Sequence, residues 1–168
     1  MSDTHASPPN EEPLSDQLYF EDFAVGQRFR APSKTLTDAH FLFFSGLTGD
    51  NHPLHYDVEY AKQTRFGRPV AHGLLLASMT ALGAGVLAPR VQESIVAFVE
   101  QTARFLGPAF VGDTLYPELE VTALEPRSRT GLLSFACRLR NQTGAFILEG
   151  THAYIIKRRA AGGEAGGD

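Results

Sequence analysis

The most constraining stretch of this chain is Gly73 to Ala88, GLLLASMTALGAGVLA, which carries no charged residue. As a helix it is apolar nearly all the way round and must be buried on every side. It is too short to cross a bilayer, which takes about 20 apolar residues. The expectation is therefore a core helix, with the rest of the chain wrapped around it. Composition supports a folded globule, with 43% hydrophobic and 20% charged residues in 168. Fifteen Lys and Arg against nineteen Asp and Glu give a net charge of −4, which argues against a nucleic-acid partner. Cys137 is the single cysteine, so neither an internal disulfide framework nor a multi-thiolate site is possible. The chain does not open on a basic segment followed by an apolar one, so no signal peptide is expected. A soluble cytoplasmic protein with no membrane partner is the default.

Residues 1–18 are rich in Pro and acids and read as a disordered lead, and the Gly/Ala-rich residues 160–168 as a flexible tail. Between them, residues 19–159 form a single domain. Gln27 to Thr35 is a first strand candidate. Thr37 or Asp38 can cap a helix running through Ala39 to Ser45, and Asp57 a short one through Tyr60 to Lys62. Beyond Ala88 the pattern changes to period two. Val99 to Phe105, Leu115 to Ala123 and Leu133 to Arg140 alternate apolar and polar residues, as half-buried antiparallel strands do. Asn141 to Gly144 supplies a turn into Phe146 to Lys157. The class is α+β: a curled antiparallel sheet wrapped around a long buried helix. Its open edge makes a homodimer that continues the sheet an expected assembly.

Reactive side chains are densest in Thr48 to His55, TGDNHPLH. Asp50, His52 and His55 surround the rigid Pro53 in a loop between two helices. Asp50 and His55 can converge there on one small molecule such as water, and a carboxylate with an imidazole suits proton transfer near neutral pH. Two other readings stay open. Asp50 can simply cap backbone N–H groups, with the histidines incidental. A metal held by His52, His55 and Asp50 or His72 is also conceivable, although H-x-x-H across a proline matches no zinc signature and no thiolate supports it.

The next informative segment is Phe66 to Leu75, FGRPVAHGLL. Gly73 opens the apolar segment, so its N–H is free at a helix N-terminus. With the helix dipole, that donor suits a carbonyl oxygen gaining negative charge. Its missing side chain would also let a ligand approach the backbone, or only allow tight packing. His72 reads as a packed, hydrogen-bonded histidine.

TGDNHPLH, FGRPVAHGLL and Phe105 to Leu115, FLGPAFVGDTL, in that order, resemble the MaoC-like dehydratases, the R-specific enoyl-CoA hydratases. The likeness spans about Phe20 to Ile156 and implies the hot-dog fold, a curled sheet around a helix, in a dimer with its site near the subunit contact. It implies that Asp50 is the catalytic aspartate, His55 the catalytic histidine and Gly73 the amide that holds the thioester carbonyl. One departure stands out. The family has Asn two positions after the Asp, where this chain has His52, and Asn51 sits one place early. Either could orient the water. The implied reaction is reversible hydration of a trans-2-enoyl thioester, an acyl-CoA or acyl-carrier substrate. Asp50 takes a proton from water, and His55 orients that water and delivers or relays a proton to C2. No metal or redox cofactor is required. Phe41, Phe44, Leu54 and Leu75 could shape an acyl tunnel, and Arg65, Arg68 and Arg104 could meet carrier phosphates. A hot-dog thioesterase and a non-catalytic acyl-thioester-binding subunit are the competing functions.

Overall fold

The computed structural model describes residues 16–159. The lead and tail expected at residues 1–18 and 160–168 fall outside this range except for residues 16–18. Of these, Gln17 donates from its side chain to the Pro89 carbonyl at 2.8 Å, and the Leu18 N–H donates to Arg90 O at 2.6 Å. Leu18 also packs against the core, so attachment to the body begins by Gln17.

The elements are β1 (Arg28–Arg30), β2 (Lys34–Thr35), α1 (Asp38–Thr48), α2 (Val58–Lys62), α3 (Gly73–Ser78), β3 (Ile95–Phe105), β4 (Thr114–Pro126), β5 (Thr130–Arg140) and β6 (Phe146–Lys157). The antiparallel sheet runs β1-β4-β5-β6-β3, with β2 also on β4. The first strand candidate is thus split in two. Pro32 lies in the break and has no N–H for a ladder.

Alternation fixes which face of the sheet is covered. Leu133, Phe135, Cys137 and Leu139 of β5 are buried, beside Leu115, Leu119 and Val121 of β4 and Ile156 of β6. They form one cluster with Leu75, Leu76, Met79, Leu82, Leu87 and Val91 from the apolar segment and the residues after it. The segment fills the curl as expected. Its helix, however, spans only Gly73–Ser78, followed by turns and a single 3-10 turn at Leu82–Ala84. Two causes are visible. The Ser78 and Thr80 hydroxyls bond the carbonyls of Leu75 and Ala77 three residues back at 2.7 Å, which favours tightening. Gly83 and Gly85 then add poor helix formers. Burial is also incomplete, since Leu74 is 69% and Val86 52% exposed.

The edge strand β3 departs from the half-buried pattern. Most of its side chains are exposed on both faces, including Val96, Phe98, Val99 and Phe105, and two bulges interrupt its register with β6.

Candidate active site

Local capping places the loop between α1 and α2. The Thr37 N–H donates to His40 Nδ1 at 3.0 Å to open α1, and Gly49, at φ +74°, ends it in a left-handed turn with its N–H on Ser45 O at 2.7 Å. That conformation costs glycine nothing. Asp57 Oδ1 accepts the Tyr60 N–H at 2.9 Å to open α2. Asp50 to Tyr56 are strung between these two caps.

Within the loop, His55 is half-buried and its Nδ1 lies 2.6 Å from the Val70 carbonyl. A carbonyl only accepts, so Nδ1 carries a proton, and in the neutral ring Nε2 is then a bare lone pair. Asp50 is exposed, whereas His72, which precedes α3, is 1% exposed. A carboxylate oxygen of Asp50 and one ring nitrogen each of His55 and His72 lie within 4.8 Å of one another. A water donating one hydrogen bond and placing the other partner at normal length spans about 4.5 Å. The His72 ring stacks on His55, centroids 3.8 Å apart and planes 23° apart. Burial, and then the adjacent His55, push the His72 pKa below its ordinary value of 6.5.

Stacking also bears on the metal reading. Imidazole lone pairs lie in the ring plane, so two nearly parallel rings point their nitrogens side by side rather than at one ion. One nitrogen of His52 is engaged, because its Nδ1 accepts the Leu54 N–H at 3.2 Å as the cap of a 3-10 turn at Pro53–His55. Its ring centroid is 6.3 Å from that of His55. Asn51 Oδ1 accepts from the Ser45 hydroxyl. Each of the two residues expected as water-orienting groups thus has one side-chain atom engaged in holding the loop, Nδ1 of His52 and Oδ1 of Asn51.

A cavity of about 570 Å³ opens beside this group, lined by His55 and Gly73 with Leu54, Phe66, Leu76 and Phe105 among others. Gly73 is the first residue of α3, so its N–H has no acceptor within the helix. With only six residues in α3, the single N–H rather than a macrodipole is what it offers. Asp50 is not in this lining and reaches the cavity only through its closeness to His55.

Of the residues expected in an acyl tunnel, Leu54 lines the cavity, Phe41 and Leu75 are core, and Phe44 lies 4.9 Å from the His72 ring. Phe41 and His55 also border a second hollow of about 360 Å³ with Arg68. Arg65 lines the first cavity, whereas Arg104 pairs with Glu149 at 3.8 Å on the sheet. Tyr56, the Val70 carbonyl and Phe105 were not singled out in the sequence as parts of the site. Val70 reaches His55 across 15 residues of chain, and the Tyr56 hydroxyl reaches Phe41 and His72 across 15 and 16, and no local pattern signals such contacts.

A curled antiparallel sheet around an apolar segment, with an acid–imidazole loop at its mouth, defines a hot-dog protein. A solved Mycobacterium tuberculosis protein with a double hotdog fold superposes with a TM-score of 0.74 at 25% identity, covering 89% of this chain and 47% of that one. The MaoC-like domain model matches residues 22–134, and the chain belongs to that family. An (R)-specific enoyl-CoA hydratase of Aeromonas caviae is 36% identical over 130 residues, covering 77% of this chain and 92% of the relative. Its namesake from Rhodospirillum rubrum is 30% identical over 141 residues, covering 84% and 93%. The fold and family inferred from the three motifs are thus established. Among the described residues, no helix is long and apolar enough to cross a membrane.

Proposed function

We propose that this chain is a hydro-lyase that adds water reversibly across the C2=C3 bond of a trans-2-enoyl thioester, with Asp50 and His55 as its catalytic residues. One observation carries the reading. In the neutral ring His55 Nδ1–H is fixed on the Val70 carbonyl, which leaves Nε2 as an acceptor, and a ring nitrogen of His55 lies within 4.8 Å of an Asp50 carboxylate oxygen, beside a cavity that His55 and Gly73 both line.

Both proton transfers pass through one atom in this mechanism. A water donates one hydrogen bond to the Asp50 carboxylate and its other proton to His55 Nε2. Its oxygen bonds to C3, and the C2=C3 electron pair moves toward the thioester carbonyl, whose oxygen accepts from the Gly73 N–H. The imidazolium, held by Val70 and faced by Asp50, then returns its proton to C2. Hydrogen and hydroxyl have been added, and both side chains are as they began. This modifies the role expected for Asp50, because His55 in this tautomer has no proton to give until water supplies one. Positioned acid–base groups contribute about 10²–10⁴-fold, and one oxyanion donor about 10²–10³-fold in kcat.

Coenzyme A is the proposed carrier, with Arg65 in the cavity lining available to its phosphates. A homodimer through the exposed β3 edge is part of the same proposal. The test pairs trans-2-enoyl-CoA with its saturated counterpart. Loss of enoyl absorbance without thiol release supports the hydro-lyase. Thiol release from both substrates would replace it with a thioesterase, and binding without turnover with a non-catalytic subunit.

A further inference from the structure

The Asp50–His55 pair rests on a partly buried knot of polar groups that take no direct part in the reaction above. The Tyr56 hydroxyl lies 2.6 Å from His72 Nε2, 3.0 Å from the Phe41 carbonyl and 3.2 Å from the Asp50 carbonyl. His72 Nε2 is itself 3.2 Å from that same Asp50 carbonyl. His72 Nδ1 is buried with no hydrogen-bond partner among the described residues.

These distances select one tautomer. With the proton on Nε2, that N–H donates to the Tyr56 oxygen and the Asp50 carbonyl, while the Tyr56 O–H donates to Phe41 O. Only a bare lone pair is left over, at Nδ1. With the proton on Nδ1, a buried donor has no acceptor, the costlier arrangement. The neutral Nε2–H form also puts an uncharged ring face against His55, 3.8 Å away.

We infer that Tyr56 and His72 are positioning residues, which hold Asp50 by its backbone carbonyl and His55 by its ring face so that one water fits between them. Their hydrogen bonds join α1, through Phe41, to the reactive loop and to the start of α3. Those are the three pieces whose relative placement sets the Asp50–His55 separation. The inference rests on the hydration reading for its activity arm but not for its structural one.

Tyr56→Phe removes the hydroxyl and keeps the ring. With a trans-2-enoyl-CoA, kcat is expected to fall about 10-fold or more while KM stays within about threefold, because the pair and not the substrate is displaced. In an Asp50→Asn background the same change is expected to cost clearly less, since much of its effect acts through Asp50. His72→Gln, which can keep a donor near Nε2, is expected to retain more kcat than His72→Phe. Nitrogen-detected NMR of the labelled wild type should show His72 as the neutral Nε2–H tautomer. Wild-type kcat in Tyr56→Phe alongside an inactive Asp50→Asn would overturn the inference and leave the hydratase standing. So would an undiminished loss in the double variant. If Asp50→Asn keeps full turnover the catalytic role of Asp50 falls instead, and the NMR tautomer decides the positioning role, an Nδ1–H form refuting it.

Discussion

Replacing Gly73 with alanine tests whether the cavity is used as proposed. A Cβ built on Gly73 lies 3.0, 3.2 and 3.3 Å from three atoms of the Phe105 ring. Ordinary carbon contacts are about 3.5–4.0 Å, so the ring must withdraw by about half an ångström, and it also lines the cavity. Folding should tolerate this. Phe105 is half exposed, so its ring can give way into the cavity rather than into the core. Activity should not. The new methyl crowds the approach to the Gly73 N–H, and losing one oxyanion donor costs about 2.7–4 kcal/mol, or 10²–10³ in kcat. A partial displacement makes about 10–100-fold in kcat/KM the expected loss, with Tm nearly unchanged. Gly46→Ala is the matched control, since its Cβ would meet nothing within 4 Å. Adding Phe105→Leu to Gly73→Ala should recover part of the loss. Wild-type kcat/KM in Gly73→Ala would refute the idea that a thioester carbonyl sits on this amide.

Other expectations follow from the same structure. Asp50→Asn and His55→Ala should each remove about 10²–10⁴-fold of the hydration rate while leaving circular dichroism and Tm close to wild type, since neither side chain is in the core. His72 and His152 are both 1% exposed, and burial pushes both pKa values below the ordinary 6.5. The unfolded chain therefore binds protons first as pH drops. Tm should be level above about pH 7 and fall progressively below 6.5, with a shallower fall in His152→Gln; identical slopes would exclude His152 as a contributor. Sedimentation should give a dimer for the wild type. Val96→Lys with Val99→Lys, two exposed positions on the edge strand, should shift it to monomer, and an unchanged dimer would place the contact elsewhere.

What could be read in the sequence follows from the range of the interactions involved. The run from Leu133 to Leu139 alternates because each residue sees core or solvent according to the pleat, a local rule with period two. β6 begins and ends at Phe146 and Lys157, as that rule and the turn at Asn141 to Gly144 indicate. The apolar segment from Gly73 was legible as core but not as a short helix. Lack of charge reports burial, whereas the hydroxyls of Ser78 and Thr80 decide where the helix tightens. The site divides in the same way. Asp50, His55 and Gly73 lie in short motifs whose spacing can be read directly. His52 shares the motif, yet its Nδ1 caps a 3-10 turn, which depends on the backbone turn it occupies. Tyr56 and His72 meet only because the chain folds back between them.

The most direct measurement is the fate of a trans-2-enoyl-CoA in deuterium oxide enriched in oxygen-18, followed by mass spectrometry of the acyl product. Wild-type protein should yield a 3-hydroxyacyl thioester with oxygen-18 at C3 and one deuterium at C2, the thioester intact, and Asp50→Asn and His55→Ala should form almost none. Free carboxylate carrying oxygen-18, or equal yields from all three proteins, would contradict hydration by this pair.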